Sequence, residues 1–135
     1  MHTIHTVGLA IFQDARLLLV RKRNTMKFML PGGKIDPGES ETECIVREIY
    51  EELQSHVQLE TLRFLGNYTD LAANELDAMV TMKLYTGQIT NPPQPSREIE
   101  EIYWFDRGQH NGGISIAPLL DNQILPYLIA THYLS

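Results

Sequence analysis

One cysteine, Cys44, stands in 135 residues. An internal disulfide is thereby excluded, and a reducing compartment is the expected setting. No apolar run reaches the roughly 18 residues a membrane helix needs, and no charged-then-apolar leader opens the chain. The expectation is a soluble, cytoplasmic protein with no membrane partner. Positive charge is scarce: 11 Lys and Arg face 17 Asp and Glu, a net charge of −6. A nucleic-acid duplex is repelled by such a surface, so duplex binding is not expected. His2, His5, His56, His110 and His132 are scattered, and none pairs with Cys or another His at zinc spacing. No internal repeat or low-complexity tract appears.

What remains is an ordinary globular composition, 43% apolar. Residues 1–135 suffice for one domain with its own core. The oligomeric state is not legible, and a homodimer is left open.

The informative stretch is 33–53, G-K-I-D-P-G-E-S-E-T-E-C-I-V-R-E-I-Y-E-E-L. Asp36-Pro37-Gly38 is a turn signal. Ser40 with Glu43 three residues on is a capping box, so a helix is predicted from Glu41 to about Leu53. Residues three and four apart share a helical face. Glu48, Glu51 and Glu52 then project from one side, and Ile45, Ile49 and Leu53 form the adjoining buried stripe. Carboxylates about 5 Å apart repel by roughly 3 kcal/mol at an effective dielectric near 20. A divalent cation removes that repulsion, and hard oxygen donors suit Mg²⁺ or Mn²⁺. Pro31-Gly32-Gly33 precedes the turn, and its glycines let bare backbone approach a ligand. Cys44 reads as a packed thiol on this helix.

This spacing resembles the Nudix box, G-x5-E-x7-R-E-U-x-E-E-x-G-U with U a bulky aliphatic residue. Gly33, Glu39, Arg47, Glu48, Ile49, Glu51 and Glu52 match; Gln54 replaces the last glycine and Ser55 the final aliphatic. The glycine would serve as a left-handed helix cap; Gln54 can occupy that position with some strain, or the helix can end differently. The resemblance covers residues 33–55. It implies an α/β fold, an α/β/α sandwich with a mixed β-sheet between helices.

The resemblance also implies roles. Glu48, Glu51 and Glu52 are the expected metal ligands, with Gly33 offering a carbonyl and Glu39 an accessory carboxylate. Arg47 is expected to hold a neighbouring carboxylate in place. Glu52 and Glu51 are expected at the reacting centre with Arg47, Glu52 as candidate base; Glu98, Glu100 and Glu101 are the candidates from a later loop. The implied reaction is metal-dependent hydrolysis of a nucleoside diphosphate linked to a group X. A nucleoside triphosphate, oxidised or not, is the leading substrate, cleaved to monophosphate and pyrophosphate. ADP-ribose or a nucleotide sugar is the alternative, and a non-catalytic nucleotide sensor is the rival of another class. Arg21 and Arg23 are candidate phosphate holders. Trp104, with Glu100 and Glu101, is a candidate purine reader.

Elsewhere, Thr3–Phe12 and Arg16–Arg23 read as a hairpin about a turn at Gln13-Asp14-Ala15. Leu17 to Val20 should be buried on both faces. One or two short strands are expected within 57–71, a long strand over 78–90 and another over 98–105. Asn91 to Pro95 is a surface loop, and 107–115 reads as a loop. A helical region over 117–134 should be kinked or divided by Pro126.

Overall fold

The structure is a computed structural model, and it describes residues 2–73, 75–107 and 113–134. Part of the 107–115 loop, including His110, therefore lies outside the described residues. Among the described residues there are nine strands, β1 (His2–Ala10), β2 (Phe12–Gln13), β3 (Arg16–Lys22), β4 (Lys27–Phe28), β5 (Gly32–Lys34), β6 (Val57–Leu71), β7 (Ala78–Ile89), β8 (Ile99–Phe105) and β9 (Ser115–Ile116), and helix α1 (Glu41–Leu53). A π-helix over Leu119–Ile124 runs into α2 (Leu125–Ala130). Among the described residues, no helix is long and apolar enough to cross a membrane.

The main sheet has the order β5-β1-β7-β6, with β1 parallel to β7 and the other pairings antiparallel. A second sheet has the order β2-β3-β8, and β4 pairs with β9. The expected first hairpin is real but short. Only Phe12 and Gln13 pair with Leu17 and Arg16 around Asp14-Ala15, both at positive φ. Beyond that turn β1 leaves for β7, while β3 runs along β8. Each strand finds a longer partner elsewhere, so the hairpin splays into two sheets.

Burial explains the layering. Leu17 to Val20 are at most 1% exposed. Leu17 and Leu19 join a cluster with Leu119, Leu120, Ile124 and Leu128 on the α2 side. Leu18 and Val20 join Cys44, Ile45, Ile49 and Leu53 on the α1 side. Alternating residues of one strand thus reach helices on opposite faces, which makes the α/β/α arrangement.

Two expectations are revised. Residues 57–71 form one strand, not one or two short ones; register shifts between Gln58 and Arg63 and between Phe64 and Gly66 hide its alternation. The last helix is shorter than 117–134. Pro126 lacks an N–H and its ring crowds the preceding turn. The chain answers by widening: Leu125 N–H donates to the Leu120 carbonyl, five residues back, before α2 proceeds. Leu120, Ile124 and Leu128 are buried, and the exposed Tyr133 stacks on Phe12.

Candidate active site

Helix α1 starts as its sequence requires. Ser40 Oγ accepts from Glu43 N–H at 3.0 Å, and Glu43 returns the bond to Ser40 N–H at 2.8 Å. This fixes the phase of the helix, and Glu48 and Glu52 come to lie on its inward side beside Ile45 and Ile49. Glu48 is 9% exposed and Glu52 only 2%. Glu51 sits further out, with a side chain 36% exposed.

The glycine loop, whose residues Gly32–Lys34 pair with β1 as β5, lies over these carboxylates. Gly32 N–H donates to Glu52 Oε1 at 3.1 Å. A Cβ at Gly33 would collide with the Glu48 carboxylate, and one at Gly32, whose φ is 147°, with the Val7 carbonyl. The close approach expected of these glycines is therefore made first to the protein's own carboxylate and to β1.

Arg47 is the hub. Its Nε donates to Glu39 Oε2 at 2.7 Å and its Nη2 to Glu39 Oε1 at 2.9 Å. Nη1 donates to Glu48 Oε1 at 2.6 Å and reaches Glu51 Oε1 at 3.5 Å. Nη2 also meets the Lys34 carbonyl at 3.2 Å. One guanidinium thus ties helix, turn and glycine loop together, with the bidentate geometry that a lysine cannot reproduce. Glu39 also accepts from Asp36 N–H at 3.0 Å. The hydrogen bonds from Arg47 hold its carboxyl down at about 2.

The buried carboxylates shift the other way. Burial raises Glu52 well above its ordinary value, helped by the charge of Glu48, while Gly32 N–H and the charge of Lys22 pull it back. Burial also raises Glu48, against the hydrogen bond from Arg47. Cys44 is buried, and its thiol is pushed up to about 12, chiefly by burial. It contacts the Lys34 carbonyl at 3.3 Å and is a packed thiol rather than a nucleophile.

The donor set fits a hard divalent cation: two desolvated carboxylates whose charged forms are disfavoured, and a third within one helical turn. Among the described residues, no three acidic, His or Cys side chains already stand at metal-ligand spacing. Arg47 Nη1 meets Oε1 of both Glu48 and Glu51, which leaves the second oxygen of each carboxylate for an ion.

A cavity of about 240 Å³ opens on the other side of the glycine loop. Gly32, Gly33, Lys22 and Lys34 form its polar end, and Ile4, Val80, Met82, Leu119, Leu120 and Ile124 supply much of its apolar wall. The expected substrate contacts are placed elsewhere. Arg21 of β3 pairs with Glu101 of β8 at 3.1 Å, and Arg23, just past β3, pairs with Glu100 at 2.8 Å. Trp104 packs against the α1-side core. None of these five residues lines the cavity. Lys22, between the two arginines, does; its alternate position on β3 was the available signal.

Residues 2–124 match the NUDIX domain family. A Bacillus subtilis (strain 168) protein provisionally named an 8-oxo-dGTP diphosphatase is 40% identical over 52 residues, 38% of this chain and 35% of that protein. A MutT-like protein of Streptomyces ambofaciens is 29% identical over 62 residues, 46% of this chain and 40% of its own. The match thus spans well under half of each of these relatives. In fold, the chain superposes on the E. coli ORF135 protein with a TM-score of 0.75 and 21% identity, covering 98% of this chain and 92% of that one. With the Arg47-centred carboxylates where the box places them and the family match running through nearly the whole sequence, the chain belongs to the NUDIX domain family.

Proposed function

We propose that this protein hydrolyses a phosphoric anhydride in a nucleoside diphosphate linked to a further group, using Mg²⁺ or Mn²⁺. The observation that carries the reading is the burial of Glu48 and Glu52 directly behind the glycine loop, with a nucleoside-sized cavity beyond it. Carboxylates this desolvated are costly unless a cation or a proton meets them.

Glu48, Glu51 and Glu52 would hold the cation, with the Gly33 carbonyl within the same loop. When bound, the cation supplies charge neutralisation at the diphosphate and acidifies water. The chain's own residues do the rest. Lys22 and Lys34 draw the phosphates to the polar end of the cavity. The apolar wall takes the nucleoside and excludes water. Arg47 and Glu39 fix the angle between helix and loop. Glu52, with its raised proton affinity, accepts the proton of the attacking water. The water oxygen bonds to phosphorus, the anhydride P–O bond breaks, and the leaving phosphate departs with the bond's electrons.

Among such substrates we favour a nucleoside triphosphate, oxidised or not, cleaved to monophosphate and pyrophosphate. The named activity of the B. subtilis relative supports that choice. The test is a panel of nucleoside triphosphates, their 8-oxo forms, ADP-ribose and nucleotide sugars with Mg²⁺, with products identified. Release of pyrophosphate from a triphosphate is expected. Cleavage confined to ADP-ribose or sugars would overturn the substrate choice. Nucleotide binding without turnover would overturn the enzymatic reading in favour of a sensor.

A further inference from the structure

Gln54 and Ser55 are the two residues that depart from the box, and both are committed to one segment of the chain. Gln54 caps α1 in the left-handed conformation, φ 55° and ψ 38°. Its side-chain amide donates to Ser96 Oγ at 3.1 Å. Ser55 is fully buried. Its hydroxyl donates to the Asn91 carbonyl at 2.9 Å and accepts from Asn91 N–H at 3.0 Å. The same segment closes the helix end: Gln94 N–H donates to the Leu53 carbonyl at 2.9 Å and Ser96 N–H to the Glu52 carbonyl at 3.0 Å. A glycine at 54 and an aliphatic residue at 55 would leave Ser96 and Asn91 without these side-chain partners.

The segment leads to the cavity. Glu98 follows Ser96 by two residues. Its carbonyl accepts from Arg23 N–H at 2.7 Å, and its carboxylate stands 3.6 Å from Lys22 Nζ. Lys22 lines the cavity. Hydrogen bonds and one ion pair thus run from the α1 C-terminus through the 91–96 strap to Glu98 and Lys22.

We infer that Gln54 and Ser55 form a clasp that positions the 91–98 strap, and through it Glu98, beside the end of β3 at the cavity. They are positioning residues for the reaction, and this role rests on the hydrolase reading above. The proline-rich segment is not an incidental surface loop. Its Pro92, Pro93 and Pro95 limit its conformations, so a few hydrogen bonds at its base suffice to set where Glu98 falls.

The test compares wild type with Gln54→Gly, Ser96→Ala, their double variant, and Ser55→Ala. Gln54→Gly suits the left-handed cap, so it should hold Tm close to wild type while cutting the tether. Its kcat should fall about tenfold with KM changed less than threefold, the pattern of a misplaced group rather than lost substrate binding. Ser96→Ala should do the same, and the double variant should be no worse than either single one. Amide hydrogen exchange at Gln94 and Ser96 should accelerate in each. Folded Gln54→Gly and Ser96→Ala proteins with kcat within twofold of wild type would overturn the clasp. So would unchanged exchange at those amides. These two variants decide the matter even where Ser55→Ala fails to fold. Wild-type protein that cleaves no anhydride would instead overturn the hydrolase reading, and the role with it.

Discussion

Arg47 grips Glu39 through two parallel bonds, Nε to Oε2 at 2.7 Å and Nη2 to Oε1 at 2.9 Å. The pair joins the helix to the turn before it and leaves Nη1 free to hold Glu48. Lysine has no such fork. Arg47→Lys should lower kcat about tenfold or more, the scale for losing an orienting partner of a metal-binding group. Steady-state kinetics with Mg²⁺ check this; unchanged kcat would mean the fork is structural only.

The same pair gives a pH signature. Glu39 is held at about 2 in the fold against an ordinary value of 4.5. A depressed folded value means stability present above 4.5 and lost as pH falls toward 2. The acid-unfolding midpoint should therefore rise in pH in Glu39→Gln, followed by circular dichroism. Coincident acid curves for variant and wild type would contradict the assignment.

Glu52 predicts the opposite slope. Burial raises its folded value above 4.5, so its contribution to stability is present below 4.5 and is lost as pH rises through the folded value. Without metal, Glu52→Gln should be at least as stable as wild type at pH 7. Wild type should gain Tm on adding Mg²⁺, by the equivalent of about 2.7 kcal/mol at one hundred times Kd. Glu52→Gln should gain much less. Thermal melts in chelator and in Mg²⁺ test both statements, and a wild-type Tm indifferent to divalent ions would sink them.

Lys22 and its neighbours separate cavity from surface. Lys22→Met should raise KM for a triphosphate about tenfold or more, since a charged hydrogen bond to phosphate is worth roughly 1.5–3 kcal/mol. Arg23→Ala and Glu100→Ala remove an exposed cross-strand pair and should stay within about 0.5 kcal/mol of wild-type stability and twofold of its kcat/KM. Equal damage from Arg23→Ala and Lys22→Met would restore the arginine to the substrate.

These contrasts show what a sequence can carry. Helix α1, its capping box and its carboxylate face are local patterns, and the helix runs over Glu41–Leu53 as read. The sequence leaves two ends open at residue 54, a strained left-handed cap or a different helix end, and the structure takes the first. Burial of Leu17–Val20 on both faces followed from an unbroken apolar run. The rest depends on partners distant in sequence. Nothing near Arg21 or Arg23 announces that Glu101 and Glu100 lie opposite them across a sheet. The two bulges of β6 erase the alternation by which a 15-residue strand would be recognised. The cavity draws its walls from β1, β5, β7 and the π-helix, so no single window contains it.

A reacting centre at the buried end of α1 and a packed acidic helix differ in one measurement. It is turnover of a nucleoside triphosphate with Mg²⁺, by wild type and by Glu52→Gln of matched fold. A reacting centre gives pyrophosphate release by wild type and a kcat at least about a hundredfold lower in the variant. A variant within threefold of wild type would contradict it.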